Sequence, residues 1–197
     1  VWTSTWRVFL GFFIGSALAL ICSILVGLNK QVEAFLEPSF SAVKSIPSLA
    51  WIPLLLLWLG IDEASKITLI AIGAFFPTYT NTVAAIKGVD RKLIEVARVY
   101  RLKYWQQVQQ IILPAASPGI LTGLRNSLSL AWMFMIVVDL IAATQGIGSL
   151  LSDGRYTSCP DIVILAINLL AVLGNLSDGI MKAIATWLLR WRDVFGT

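Results

Sequence analysis

The sequence predicts an all-α, polytopic membrane helix bundle of about five transmembrane helices, with one cytoplasmic loop that carries short amphipathic helices. Three observations predict it. The 197-residue chain is 57% hydrophobic and only 13% charged, with a mean hydropathy of +0.81, whereas a soluble domain has roughly 45–50% apolar and about 25% charged residues. A helix needs about 20 apolar residues to cross a hydrocarbon core of roughly 30 Å, so this length holds about five crossings and no large soluble domain. Finally, residues 95–114, EVARVYRLKYWQQVQQIILP, form a polar, basic, helix-prone interruption in an otherwise oily chain.

The first apolar run is Trp6 to Leu28, in which Gly11, Gly15 and Ser16 are spaced as small residues that let helices approach closely. Asn29 to Ile46 is mixed and carries Pro38, which reads as a loop or an interfacial helix. The second run, Ile46 to Leu59, is short and contains Pro47 and Pro53, so a broken or buried span is expected. The third, Lys66 to Ile86, turns polar from Pro77 through Thr78, Tyr79, Thr80, Asn81 and Thr82, and its second half is expected to face protein or water. The fourth, Ile120 to Ala143, begins with Arg125, Asn126 and Ser127 and contains Asp139, an ionisable group in an apolar window. The fifth runs from Asp161 to about Leu176 and can continue as an amphipathic helix to Trp191.

The net charge of +4 is the loop excess that orients a membrane protein, not the footprint of a nucleic-acid partner. With Lys87 to Ser117 cytoplasmic, alternation places residues 29–46 and 188–197 on the same side. Ten of the fifteen lysines and arginines then fall inside, and Arg7, Lys66 and Arg155 outside. This puts Val1 outside, so a cytoplasmic start requires one further upstream helix; no signal peptide is expected. Within 1–197, read as a single transmembrane domain, the loop occupies 87–117. Asp90 is a helix N-cap, and Leu93, Ile94, Ala97 and Val99 alternate with Arg91, Lys92, Glu95 and Arg98 at helical spacing. A second helical stretch covers Tyr104 to Ile112, with a turn near Arg101-Leu102, and Pro114 and Pro118 are expected to separate this pair from the fourth span.

The absence of histidine removes histidine-based triads, proton relays and the commonest metal ligand. Cys22 and Cys159 have no ligand spacing and read as unpaired structural thiols. No Gly-x-x-x-x-Gly-Lys-Ser/Thr phosphate loop is present, so no catalytic residue and no bound cofactor is assigned.

The spacing E-x-A, thirteen residues, I-x-L-P, realised as Glu95, Ala97, Ile111, Leu113 and Pro114, resembles the EAA loop of bacterial ABC importer permeases. The segments SIPSLAWIPLLLLWLGIDEASKI (45–67), FFPTYTNT (75–82) and LIAATQGIGSLLSDGR (140–155) are similar to the branch that imports aliphatic sulfonates, taurine, nitrate or bicarbonate, with the sulfonate type nearest. The resemblance implies a type I importer permease in the inner membrane, paired with a second permease, usually an identical copy, and with two cytoplasmic ATPases that hold the ATP and Mg. A periplasmic or lipoprotein binding protein delivers the solute. It also implies that Glu95, Ala97, Arg98, Arg101, Ile111, Leu113 and Pro114 dock on the ATPase, since ATPase closure moves the spans only if the docked helix carries different contact energy in the two states. Three positions depart from the family pattern. Val96 stands for Ala and Asp139 for Glu, and Arg101 stands for a Gly that permits the tight turn at low cost.

Each candidate has a plainer reading beside the functional one. Glu95 can pair with Arg91 or Arg98 on its own helix face, and Arg125 can snorkel to the cytoplasmic edge. Thr78, Asn81, Arg125, Asn126, Ser129 and Asp139 are the candidate path for a small anion, although the threonines can equally be interhelical hydrogen-bond partners. In the Thr144 to Pro160 loop, Gly146, Gly148, Asp153 and Arg155 are the candidate contacts to the binding protein, or an ordinary glycine-rich turn. Two other classes compete with the importer. A stand-alone channel or ion-coupled carrier has only Asp139 as a coupling group, and an intramembrane enzyme lacks paired catalytic groups.

Overall fold

The computed structural model describes residues 2–60, 62–142 and 146–190, the side chains of Arg98 and Ala142 excepted. Thr144 and Arg192, which entered the loop and charge readings, lie outside this set, as does the side chain of Arg98. Helix α1 spans Trp2–Leu28, α2 Lys30–Ser45 and α3 Trp51–Leu59, with a 3-10 turn at Ser48–Ala50 between the last two. Then follow α4 Glu63–Lys87, α5 Arg91–Val99, α6 Tyr104–Gln107, a π-helical turn Val108–Ile112, and α7 Leu113–Ala142. Helices α8, Ile147–Tyr156, and α9, Pro160–Leu188, complete the described residues.

Among the described residues four helices are long and apolar enough to cross a membrane, and α2 with α3, bent by 76°, meets the same requirement as a pair. The sequence read 29–46 as a loop or an interfacial helix on the cytoplasmic side; the structure makes it helix, packed along the bundle. Asn29 caps α2 by accepting the Gln31 N–H at 3.0 Å. Val32, Leu36 and Phe40 then pack up the side of α1 and α4 against Ala19, Val26 and Tyr79. Ile52 and Leu55 of α3 reach Leu69 and Val138. The bent pair breaks at Ile46-Pro47, where proline withholds an N–H and forces the preceding residue out of the helical region.

Helix α4 is the centre of the bundle, and close approach on two sides fixes it there. Gly11 and Gly15 of α1 face it: a Cβ on Gly11 would stand 2.7 Å from Ile70, and one on Gly15 would run into the Ala71 carbonyl. On the other side Gly119 and Gly123 of α7 repeat the four-residue spacing, with a Cβ on Gly123 2.7 Å from that of Asn81. Without a hydrophobic drive between helices in lipid, such close backbone packing is what holds them together. The main core cluster, Val8, Phe12, Ile70, Ala74, Leu128, Ala131, Trp132, Phe134 and Met135, fills the space among α1, α4 and α7.

Neither Pro114 nor Pro118 ends the helix. A continuous helical element runs from Tyr104 to Ile141, 38 residues. In the π-helical turn the Leu113 N–H bonds to Val108 O, five residues back, so the ladder has changed register when it reaches Pro114. At Pro118 the missing N–H would leave the Pro114 carbonyl bare, and the Ser117 hydroxyl donates to it at 2.7 Å instead. The expected Thr144 to Pro160 loop is mostly helix α8, where Ile147, Leu150, Leu151 and Gly154 recur at helical spacing on the packed side. Helix α9 is unbroken to Leu188, the continuation beyond Leu176 that the sequence allowed.

Candidate functional site

The bundle has two ends. At one, the Tyr104 hydroxyl donates to Leu28 O at 2.9 Å and Lys87 bonds Glu33 at 2.8 Å, which gathers the end of α1, the start of α2, the end of α4 and the α5–α6 segment. Leu188 closes against Pro114 and Ser117 at the same end. At the other lie the starts of α1, α4 and α8 and the end of α7.

Helix α5 is built as the sequence predicts: Asp90 accepts the Lys92 N–H at 3.0 Å, and the helix runs to Val99. Among its described side chains only Ala97 is fully buried. Glu95 is exposed, together with Val96 (50%), Val99 (80%) and Tyr100 (76%); Tyr104 and Trp105 extend this apolar surface. The helix ends on Arg101, whose φ of 53° is left-handed, while the Leu102 N–H bonds back to Ala97 O at 3.1 Å. That six-to-one bond is a Schellman closure, in which glycine usually takes the left-handed position. The expectation from the glycine rule thus meets a real positive φ. Ile111 and Pro114 line a hollow of about 580 Å³ with Leu93 and Gly119, and Leu113 is half-buried beside them. Exposed Val96, Val99, Tyr100 and Trp105 were missed as surface candidates, although their unpartnered apolar character in a basic segment was visible.

The candidate path residues separate into three places. Thr78 is fully buried in α4, and Asn81, half-buried, donates to Pro77 O at 2.8 Å beside Gly123. Arg125, Asn126 and Ser129 share one exposed face of α7 with Thr122. Arg125 makes a two-point ion pair with Asp178 of α9. Asp139 is 2% exposed at the other end of α7, 3.4 Å from Arg7 Nη1. Arg7 also grips Glu63 through two nitrogens, and Lys66 lies 3.7 Å from the same carboxylate. Burying Arg7 and Lys66 is tolerable only because each meets a carboxylate.

Gly146 and Gly148 belong to this charged cluster. A Cβ on Gly148 would overlap that of Asp139, and one on Gly146 would stand 2.5 Å from Ser4 Oγ, which accepts the Ile147 N–H at 3.0 Å. Asp153 and Arg155 are exposed on α8, with Arg155 stacked 5.4 Å from the centre of the Tyr156 ring. Among the described residues no group of three His, Cys, Asp or Glu could hold a metal. Cys22 and Cys159 are unpaired.

Residues 11–190 match the family described as the binding-protein-dependent transport system inner membrane component. The chain belongs to that family. It is 45% identical over 98% of its length to a protein of Bacillus subtilis (strain 168) assigned as the aliphatic sulfonates transport permease SsuC, covering 70% of that relative. Its counterpart in Escherichia coli (strain K12) is 41% identical, over 98% of this chain and 73% of the relative. The taurine transport system permease TauC of the same organism is 32% identical over 94% and 67%. In fold, the chain resembles a solved structure of the MetNI methionine ABC transporter in inward facing conformations, with a TM-score of 0.78 at 20% identity over 95% of this chain and 94% of that one. The protein is thus a multi-pass membrane permease subunit of an ABC importer, with an all-α type I fold.

Proposed function

We propose that this permease imports a small anion, an aliphatic sulfonate, as one half of a two-fold pore in the bacterial inner membrane. The loop end faces the cytoplasm, and two ATP-binding subunits hold it through α5. The exposed surface of Glu95, Val96, Val99 and Tyr100 carries this reading, because an apolar helix face rimmed by charge, standing clear of the bundle, suits a protein partner. Glu95 serves as the charge-assisted latch against an arginine of the ATPase. At the opposite end, the exposed Asp153 and Arg155 of α8 meet the solute-binding protein in this reading. Hydrolysis of ATP with Mg belongs to the partner, and this chain supplies the path.

The sulfonate assignment draws on SsuC, and on Arg125 and Lys182 outnumbering Asp178 on the exposed α7–α9 face. The test is uptake by the reconstituted assembly with ethanesulfonate, taurine, nitrate and bicarbonate as competitors. Ethanesulfonate should compete best. Uptake that persists without the ATP-binding subunits would instead support an ion-coupled carrier.

A further inference from the structure

Charges in the middle of a membrane helix face either protein or a water-filled space, because lipid cannot solvate them. On α9, Asn168, Asn175 and Lys182 recur every seventh residue, with half-buried Asp178 between the last two and Thr186 one turn beyond, and form one polar stripe. Beside it on the helix, Leu165, Val172, Leu176 and Trp187 are apolar and exposed, as a lipid face requires, while the opposite side buries Ala166 and Ser177 and packs Leu170, Leu173 and Met181 on the core. The stripe's loop-end half faces α7: Lys182 and Thr186 line one hollow with Thr122 and Arg125, Asn175 and Asp178 line another with Ser129, and the Arg125–Asp178 pair ties the two helices. The second hollow, directly beside that pair, measures about 280 Å³ and is lined by Leu128, Ser129, Trp132, Gly174, Asn175 and Asp178. It sits halfway along the 30 residues of α7.

Two features mark this hollow as a place for a ligand. Trp132 is 6% exposed, yet its indole N–H has no hydrogen-bond partner among the described residues, and an orphaned buried donor costs about 1–3 kcal/mol. At Gly174, a Cβ would meet nothing within 4 Å, so one wall is left open without any packing reason.

Building on the sulfonate reading above, we propose that this hollow is the mid-membrane transit site for the substrate's anionic head group. An alkanesulfonate offers three acceptor oxygens and one negative charge. The Ser129 hydroxyl and the Asn175 amide line the hollow and supply neutral donors, the buried Trp132 N–H is an unpartnered donor in its wall, and Arg125, held beside it by Asp178, supplies the counter-charge. Asp178 occupies Nε and Nη2 of Arg125, which leaves the Nη1 side of the five-donor fork for the anion. The shared guanidinium keeps the hold weak, and a transit site must release what it binds. Asp178 thereby sets dwell time, and Lys182, one turn towards the loop end, takes the anion next.

The test uses the full assembly of permease, ATP-binding subunits and binding protein in proteoliposomes, with ethanesulfonate as probe. Gly174→Leu, whose Cβ would meet nothing within 4 Å, puts bulk into the hollow and should cut uptake at least about tenfold while ATP hydrolysis persists. Trp132→Phe keeps the ring and removes the donor, for an expected fall of about three- to tenfold. In a background of Cys22→Ser and Cys159→Ser, Ser129→Cys should react with the water-soluble reagent 2-sulfonatoethyl methanethiosulfonate, and ethanesulfonate should slow that reaction; Leu176→Cys on the lipid face should not react. Normal uptake by Gly174→Leu, or an unreactive Ser129→Cys, overturns the transit site even if the wild type imports sulfonates. A wild type that imports no sulfonate overturns the substrate reading, whatever the labelling shows.

Discussion

The two ends of this bundle solve opposite problems with the same residue types. At the loop end, Glu95 and its basic neighbours stand in the open on a helix that buries little besides Ala97. At the other, Arg7, Lys66 and Asp139 are each at most 4% exposed and are locked among four helices with Glu63, Gly146 and Gly148. Charge at the first end is available to a partner, whereas charge at the second is spent inside the chain. The difference teaches that an ionisable residue in a membrane protein is interpreted by what surrounds it, since removing one member of a buried pair strands the other.

That contrast can be broken from either side. The largest effect is expected for Arg7→Ala, which leaves Asp139 buried without its cation and should cost about 3–5 kcal/mol. It would be read as a large drop in thermal unfolding temperature in detergent. The paired change Arg7→Met with Asp139→Leu should recover much of it; no recovery would mean that Arg7 acts mainly through Glu63. Next in size, Gly148→Ala forces a methyl into Asp139 and should destabilise by about 1–3 kcal/mol. Denaturant midpoints check this, and a neutral result would show that α8 can shift away.

At the loop end the same measurements should barely move. Arg101→Gly relieves a left-handed residue and should stabilise by about 1 kcal/mol, with coupled uptake preserved or improved; a clear loss of uptake would reveal a contact made by the Arg101 side chain. Glu95→Ala should change stability by less than about 0.5 kcal/mol, yet weaken co-purification of the ATP-binding subunit and uncouple hydrolysis from import. Full coupling in that variant would rule out the latch.

The crossings, the loop and its turn at Arg101 were legible because they are written in local signals: apolar length, an N-cap at Asp90, a position that favours glycine. Pro114 and Pro118 misled for the same reason. Their local meaning is a break, and only the π-helical turn and the Ser117 hydroxyl, both properties of the folded chain, carry the helix through. The break in the second apolar run was read from its prolines, but the place of α2 was hidden, because α2 is amphipathic alone and is set by contacts such as Phe40, whose ring centre lies 4.7 Å from that of Tyr79, 39 residues on. Asp139 was visible as an intramembrane acid, but its partner Arg7 lies 132 residues away, a distance no spacing argument spans. The Asn168, Asn175, Lys182 stripe was present as a seven-residue repeat all along, and a count of polar residues on the last helix would have found it.

The uninterrupted helix from Tyr104 to Ile141 has a mechanical consequence. At 1.5 Å per residue a 38-residue rod is about 57 Å long, so a tilt of about 5° at its foot sweeps its tip sideways by about 5 Å. The tip carries Asp139 and the foot carries Trp105. A push on the foot from a closing partner therefore arrives at the far clasp of Arg7 and Glu63 as leverage, amplified by length alone, and the π-helical turn sits close to the foot, where a stiff beam would best be allowed to flex.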